Sequence, residues 1–286
     1  MNNSYVIGRH GSFQLRYGWL TKGVKAVQGS SKKVSEIFSA ENATINLGVG
    51  KNMVASIQYW LKAAKIIDNN GITDFGSLLI ERYDTYLEDD ASLWLIHFVL
   101  SKNKSFATSI YWLFNHFFKS DFTAEEAGDA FVSYAKKNNW KVAEKSLIKD
   151  LSVILRMYAP HKSDKTLVED MLESPLSLLG LLSYNDGKYS FTYSSREFIP
   201  TEIFAYMINV TFADSMVVPV KELFNGVKNL SQVLKINEDG LMSHLEKLAT
   251  KYPSYYQLRE DAGINNIHRE IFQDNNAYLS EYYEKN

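Results

Sequence analysis

Two stretches between residues 91 and 118 are apolar on almost every side, and they constrain the fold more than any other feature of the chain. They read SLWLIHFVL and FATSIYWLFNHFF. A helix that is apolar all round is buried, because no face of it is suited to contact with water. We therefore expect two buried connecting helices within residues 86–120, packed between the flanking parts of the chain.

On both sides of these helices the chain repeats a pattern of helices followed by a strand-like segment. The first long helix begins after GVG and has one apolar and one basic stripe, and residues 72–80 follow as a candidate wing or strand. A second helix, at residues 143–158, precedes two short strands around the turn sequence NDG, which is a strong hairpin signal. A third, at residues 238–250, precedes YYQLREDAGINNI. This order of elements predicts winged helix-turn-helix units.

The predicted fold class is therefore mainly α, multi-helical, with tandem winged-helix units and short β-hairpin wings. The expected divisions are a basic winged-helix DNA-binding unit at residues 1–85, the buried connecting helices at 86–120, a second winged-helix unit at 121–195 and a C-terminal winged-helix-like unit at 196–286. The long helix of the last unit is acidic on its outward face. We expect that unit to serve packing or to bind a protein partner.

The charge of the chain is distributed unevenly. Its 286 residues have a formal net charge of −2. The first 67 residues nevertheless contain nine Lys and Arg against two acids, a local charge of +7, which leaves −9 for the remainder. A basic end on a slightly acidic chain favours an anionic partner, and double-stranded DNA is the first candidate.

Candidate DNA contacts lie on the outward faces of the long helices and in the basic N-terminal segment. The glycines of GVGKN open a helix N-terminus, where free N–H groups and Lys51 can hold a phosphate while Asn52 and Ser56 approach base edges. A glycine-permitted turn into a helix is the alternative, and the motif lacks the GxxxxGK[ST] pattern of a nucleotide-hydrolysing loop. The predicted set is Arg9, Arg16, Lys22, Lys51, Asn52, Ser56, Gln58, Lys62, Lys149 and Arg156.

Two carboxylates and one histidine are the candidates for chemistry. Glu88 and Asp89 lie in YLEDDA before a predicted helix, where a carboxylate pair can hold Mg²⁺ for phosphodiester cleavage. The alternative is that these acids cap the helix and complement its dipole. His10 is the candidate for proton transfer, with an exposed loop histidine as its alternative. No organic cofactor is expected.

The composition excludes several classes of protein. Without cysteine, the chain has no disulfides, no zinc–thiolate site and no thiolate nucleophile. No run approaches the roughly 18 apolar residues of a membrane span, and no long apolar stretch follows the N-terminus. We therefore expect a cytoplasmic protein without a membrane partner.

Four motifs carry a resemblance to a known prokaryotic family. They are GRHGSFQLRYGWLTKG, LGVGKNMVASIQYW, YLEDDASLWLIHF and YWLFN, in that order. In these motifs, and over most of its length, the chain resembles the family called domain of unknown function 4007. That family includes SspB-type components of DNA phosphorothioation and anti-phage defence systems, which are associated with DNA nicking. The resemblance implies partners from such systems: a cysteine desulfurase, an ATPase and an ATP-pyrophosphatase-like sulfur-transfer protein.

Two functional hypotheses follow. In the first, the chain is the DNA-binding component of a bacterial phosphorothioate modification system and acts as a Mg²⁺-dependent nickase, that is, a DNA-nicking endonuclease. In the second, it is a non-enzymatic DNA-binding adaptor, similar to a transcriptional regulator, that recruits the modification machinery. The lack of a recognisable nuclease motif favours the adaptor, whereas the family resemblance favours the nickase. A homodimer is compatible with both.

Overall fold

The computed structural model of the chain divides into two compact units, Met1–Phe191 and Thr192–Asn286. The structure describes residues 5–39, 43–160, 174–213, 215–225, 229–261, 263–270 and 274–285. The division between the units lies after Phe191. The four units predicted from the sequence, 1–85, 86–120, 121–195 and 196–286, remain predictions.

Short helices packed around one longer helix form the basic N-terminal part of the first unit. They are α1 (Trp19–Val27), α2 (Val34–Ser39), α3 (Ala43–Leu47), α4 (Lys51–Ala63) and α5 (Asp74–Gly76), followed by a π-helix at Ser77–Tyr83. The apolar stripe of α4 is buried against α1, α2 and α3, and its Ile57 and Trp60 are fully inaccessible. This burial turns the polar stripe of α4 outward.

The prediction of a wing or strand at residues 72–80 is wrong. A single bridge joins Ile67 to Ile72, and the chain then enters α5 and the π-helix. Gly76 shows why the segment folds back on α4: a Cβ atom at this position would lie 2.1 Å from the carbonyl oxygen of Ile66. Glycine permits this close approach of two backbone segments, and the segment forms helical turns instead of a strand.

Helices α6 (Asp90–Lys102) and α7 (Thr108–Asn115) follow. Every residue from Ala91 to Ser101 is buried, as the apolar pattern predicts. The buried polar groups are partnered rather than isolated, since Nδ1 of His97 lies 2.8 Å from the hydroxyl oxygen of Tyr158. The two helices thus supply a large part of the core of the first unit.

A small sheet and two amphipathic helices complete the first unit. The elements are β1 (Asp121–Phe122), α8 (Ala124–Lys137), α9 (Glu144–Tyr158), a 3₁₀-helix at Pro175–Leu179, β2 (Leu182–Asn185) and β3 (Lys188–Phe191). Thr123 and Glu126 form the predicted capping box of α8. The predicted hairpin is also confirmed: β2 and β3 are antiparallel, and Asp186 and Gly187 both have positive φ, as a tight hairpin turn requires. The strand order is β1-β3-β2.

The second unit combines helices with another three-stranded antiparallel sheet. Its elements are α10 (Thr201–Thr211), β4 (Val217–Pro219), α11 (Val220–Asn225), α12 (Leu230–Leu234), α13 (Glu238–Lys251), β5 (Tyr256–Asp261), β6 (Ile264–Arg269) and α14 (Asn275–Tyr283). The strand order is β4-β6-β5. A buried polar network joins sheet and helix: the hydroxyl of Tyr256 donates to Asn209 at 2.9 Å, and the Arg269 guanidinium donates to the same amide oxygen.

The structure confirms the mainly α, multi-helical class with short hairpins, whereas the assignment of the units as winged helices remains a prediction. In the described part of the chain, no helix has both the length and the apolar character that crossing a lipid bilayer requires.

Candidate functional site

The outward face of α4 carries the basic stripe predicted from the sequence. Lys51 and Asn52 are exposed in its first turn, and Gln58 and Lys62 are partly exposed further along. Nζ of Lys62 donates to Oδ1 of Asn69 at 2.8 Å. Since an amide is a neutral partner, this contact leaves the charge of Lys62 uncompensated.

Helix α1 adds two exposed cations beside α4, which it contacts. They are Lys22 and Lys25, three residues apart and therefore on the same side of the helix. The ammonium of Lys25 lies 5.3 Å from the ring centroid of Tyr86. No carboxylate of the described residues forms an ion pair with Lys22, Lys25 or Lys51. The positive charge of this face is therefore available to an anionic ligand.

The first turn of α4 is open to an anion. Gly50 occupies the N-cap position and has no side chain, so it cannot cap the first-turn N–H groups. Lys51 and Asn52 are exposed beside these donors. Backbone N–H groups, the positive end of the helix dipole and an ammonium group together favour a phosphate oxygen.

Ser56 faces the interior of the unit, so its predicted contact with a base edge is wrong. Its side chain is 1% exposed. The hydroxyl oxygen lies 2.9 Å from the carbonyl oxygen of His10 and 3.0 Å from that of Asn52. Ser56 therefore ties α4 to the N-terminal segment instead of facing solvent.

His10 is enclosed by aromatic side chains of α4. Its side chain is 1% exposed, its ring stacks on Trp60 with centroids 5.7 Å apart, and it meets the edge of Tyr59 at 5.6 Å. The alternative of an exposed loop histidine is therefore wrong. The preceding residue, Arg9, is exposed.

A carboxylate of α9 faces the His10 ring. Nε2 of His10 lies 2.8 Å from Oδ1 of Asp150, which is 4% exposed; the pair is at ion-pair distance without the alignment of a hydrogen bond. The same carboxylate accepts hydrogen bonds from the N–H of Gly8 and the hydroxyl of Ser109 in α7. Burial, and to a lesser degree the charge of Asp150, raise the pKa of Tyr59. Asp150 thus joins the N-terminal segment to α7 and α9.

The closed arrangement limits what this polar cluster can do. A histidine beside a carboxylate has the composition of a general-base pair. In the described conformation, however, a phosphodiester cannot reach either group, because both side chains are buried. The cluster anchors residues 8 and 10, which flank the exposed Arg9.

Arg16 is held by two aromatic rings. Its guanidinium carbon lies 5.8 Å from the ring centroid of Phe13 and 5.6 Å from that of Trp19. Such cation–π contacts fix the direction of an arginine without neutralising its charge. Arg16 remains partly exposed and belongs to the same basic N-terminal part of the chain.

The structure places the two candidate metal ligands at the start of α6. Asp89 is the N-cap of that helix, and its carboxylate accepts the N–H of Ala91 at 2.8 Å. Glu88 is exposed, and its backbone N–H donates to the buried Asp84 at 2.9 Å. The capping alternative therefore accounts for Asp89. Among the described residues, no three His, Asp or Glu side chains are grouped to hold a metal ion.

The candidate residues for chemistry are not brought together. Within the described residues, no hydrogen bond or ion pair joins His10 to Glu88 or Asp89. His10 contacts Asp150 and the aromatic rings of α4, whereas Glu88 and Asp89 are organised by Asp84. A catalytic centre that combines all three would require a different conformation.

The cap at Asp89 leads to a first prediction. Replacing Asp89 with alanine should lower the free energy of unfolding by about 1 kcal/mol, because the Ala91 N–H loses its acceptor. Asp89→Asn should stay close to the parent, since asparagine is an equally good N-cap residue. Urea denaturation of both variants measures the difference. Equal stability of the alanine variant and the parent would contradict the capping role.

The predicted DNA contacts on α9 lie in a mixed electrostatic environment. Lys149 is exposed, and Nε of the partly exposed Arg156 donates to the carbonyl oxygen of Ser152 at 3.3 Å. Helix α8 packs beside α9 and places Glu125 and Asp129 along the same surface depression as Ser152. Two acids of α8 therefore lie next to the part of α9 that contains Ser152.

Two organising residues, Asp84 and Asp150, are missing from the sequence-based set. Asp84 is buried and accepts the N–H of Asp89 at 3.0 Å and the hydroxyl of Ser92 at 2.5 Å. For Asp150 a signal is present in the sequence: it lies three residues after Leu147 and four before Ile154, on the apolar stripe of its helix. A carboxylate at such a position requires buried donors.

Comparisons with known proteins point to one family. A family model described as a protein of unknown function (DUF4007) matches residues 7–283. The fold is similar to a magnesium ion-bound SspB crystal structure, with TM-score 0.85 and 28% identity, covering 97% of this chain and 88% of that chain. It is equally similar to another SspB crystal structure, with TM-score 0.85, 29% identity and coverages of 99% and 89%. No curated protein sequence matches the chain.

Proposed function

The chain belongs to the DUF4007 family, and from this premise we propose that it is the DNA-binding component of a bacterial phosphorothioate modification system. The observation that carries the proposal is the face of α1 and α4 with Lys22, Lys25 and Lys51, whose charges no described carboxylate pairs. The similarity to SspB over nearly the whole chain supports the system. In this proposal it works in the cytoplasm with a desulfurase, an ATPase and a sulfur-transfer protein.

We further propose that the long helices act within winged-helix units. In the first unit α4 follows short helices, as the second helix of a helix-turn-helix does, and its basic stripe faces outward. The strand order β1-β3-β2 beside α8 and α9 supports the same reading in the middle of the chain, with the β2–β3 hairpin as its wing. The described part of residues 1–85, where the sequence predicts the first winged-helix unit, lacks such a hairpin.

The lysine-bearing face of α1 and α4 is best suited to bind the phosphate backbone of DNA. Lysine contacts to phosphates supply affinity without reading sequence, and the open first turn of α4 adds N–H donors. A helix that reads base edges needs exposed polar side chains; Gln58, seven residues after Lys51, lies on the lysine face, and Asn52 is exposed in the first turn. We propose that the lysines orient the DNA through its phosphates and that these two amides contact the bases.

A comparison of two DNA backbones tests the proposal. The purified chain should bind a fluorescently labelled duplex, and it should lose this binding when the phosphates of the same sequence are replaced by uncharged methylphosphonates. Fluorescence anisotropy measures both affinities. Equal affinity for the two duplexes, or no binding to either, would contradict the proposed function.

The acids next to α9 lead to a second prediction about which surface contacts DNA. Reversing the charges of Lys149 and Arg156 should weaken DNA binding by about threefold to tenfold, less than a loss of the α4 lysines, because Glu125 and Asp129 already offset their field. The control is mutation of Glu246 and Lys247, both exposed on α13. A stronger effect of the α13 variant than of the α9 variant would show that the role of the middle unit is assigned wrongly.

The enzymatic form of the proposal is a Mg²⁺-dependent nickase. The similar SspB structure that is described as magnesium ion-bound supports it. We assign the exposed Glu88 and the adjacent Asp89 as the carboxylate pair that binds the metal. The metal ion would polarise the phosphate. Relaxation of supercoiled plasmid in the presence of Mg²⁺, but not of EDTA, tests it. Unchanged nicking in Glu88→Gln and Asp89→Asn variants would remove this pair from the metal site.

The adaptor is the second candidate. It is favoured by the engagement of Asp89 as a helix cap, by the burial of His10, and by the absence of a three-ligand group among the described residues. An adaptor binds the duplex with full affinity and leaves supercoiled plasmid intact with or without Mg²⁺. The two assays together separate the candidates.

A further inference from the structure

The first unit has an open groove between α8 and α9, with a volume of about 210 Å³. It belongs to neither the basic face of α4 nor the cluster around Asp150. Six of the residues that line it carry the argument: Glu125, Gly128 and Asp129 of α8, and Ile148, Leu151 and Leu155 of α9.

The groove is apolar inside and is kept open by a glycine. Ile148 is 44% exposed. Gly128 is buried in the interior of α8, where glycine costs about 1 kcal/mol relative to alanine. A Cβ atom at Gly128 would lie 3.4 Å from Cγ1 of Ile148. Any side chain larger than that of alanine would fill the space that the groove now offers to another molecule.

The α8 edge of the groove is acidic. Glu125 and Asp129 are exposed one helical turn apart, and neither forms an ion pair with a described cation. The intervening Glu126, which does not line the groove, is paired with Lys119 at 2.5 Å. Like charges at this spacing repel slightly, so a cation placed between them would be favoured.

We propose that this groove binds a cationic amphipathic segment of a protein partner. An apolar side chain of the segment packs against Ile148 and Leu151, and an adjacent lysine or arginine contacts Glu125 and Asp129. Nucleic acid does not fit, because its phosphates would meet both carboxylates. Helical segments commonly bind in this way, with apolar anchors on one face in a groove between helices. The surface adds protein recognition to the DNA-binding function and does not depend on it.

Two synthetic peptides test the proposal. Both are amphipathic helices with the same leucines; one has lysines and the other glutamates at the flanking positions. The δ-methyl NMR signal of Ile148 in the full, methyl-labelled chain reports contact with the groove. The lysine peptide should shift this signal in a saturable manner, and the glutamate peptide should not. Equal shifts with both peptides, or no shift with either, would overturn the proposal.

Variants of the groove provide the second readout. Glu125→Gln with Asp129→Gln should lower the affinity for the lysine peptide by about tenfold or more, because both carboxylates are lost. Glu144→Gln is the matched control, since this exposed carboxylate is already paired with Lys136 at 2.7 Å. Equal affinity of the groove variant and the control would also overturn the proposal. Duplex binding, measured on the same variants, should not weaken, which separates failure of this inference from failure of the DNA-binding function.

Discussion

Replacing Asp150 with alanine is expected to lower the free energy of unfolding of the first unit by about 3–5 kcal/mol. The carboxylate is 4% exposed and accepts hydrogen bonds from Gly8 and Ser109 while facing the ring of His10. Without it, these donors lose their acceptor in a region closed to water. Each buried polar group left in this way costs about 1–3 kcal/mol.

Urea denaturation followed by tryptophan fluorescence measures this effect, since all five tryptophans of the chain lie in the first unit. Asp129→Ala is the matched control: it removes an exposed carboxylate that has no described partner, and it should change the stability by no more than about 0.5 kcal/mol. Asp150→Asn should fall between the two, because it keeps the shape and one acceptor oxygen. An Asp150→Ala variant as stable as the control would show that the cluster does not hold the N-terminal segment.

The second large effect concerns DNA. Reversing the charges of Lys51 and Lys62 together should lower the affinity for duplex DNA by about 100-fold at moderate salt. A hydrogen bond to a charged group contributes about 1.5–3 kcal/mol, and each 1.4 kcal/mol is a factor of ten in affinity. Both lysines lie on the outward stripe of α4, and the packing of its apolar stripe does not involve their charges. Folding should therefore be retained.

The control changes net charge equally at two lysines that the proposed interface does not include. Lys136 and Lys285 are exposed and already paired, with Glu144 and Glu281 at 2.7 Å in each case. Reversing them should weaken DNA binding by no more than about threefold, through the general field of the protein. Equal losses in the two double variants would mean that net charge, and not the face of α4, determines affinity.

Features with a local cause could be predicted from the sequence. The capping box of Thr123 and Glu126 needs two residues three apart, and the β2–β3 hairpin needs a turn sequence that tolerates positive φ. The basic stripe of α4 follows in the same way, because burial of the apolar stripe dictates which residues face outward. In each case the determining interactions lie within one helix or one turn.

The wing predicted at residues 72–80 shows where such reasoning fails. The segment is short and apolar, so a strand and a helical turn are equally compatible with its pattern. The choice is made by tertiary structure, through the contact of Gly76 with the backbone at Ile66 and the burial of Leu79 and Ile80. Neither can be inferred from the spacing of apolar residues within the segment.

Part of the candidate site was beyond prediction for the same reason. His10 lies in a polar, basic segment, and nothing near it in the sequence indicates burial; its partner Asp150 is far away along the chain. Ser56 is predicted to approach base edges together with Asn52, yet the N-terminal segment covers it through the carbonyl of His10. The exposure of the lysines could be predicted, because an exposed side chain requires no partner elsewhere in the chain.

The salt dependence of DNA binding by the unmodified chain tests the central claim most directly. If the unpaired lysines of α1 and α4 contact phosphates, each contact releases counterions, and affinity falls as salt rises. With as few as three contacts, we expect the affinity for a labelled duplex to drop by on the order of tenfold or more between about 50 and 200 mM NaCl. An affinity that stays constant over this range, or no detectable binding at its lower end, would contradict the account.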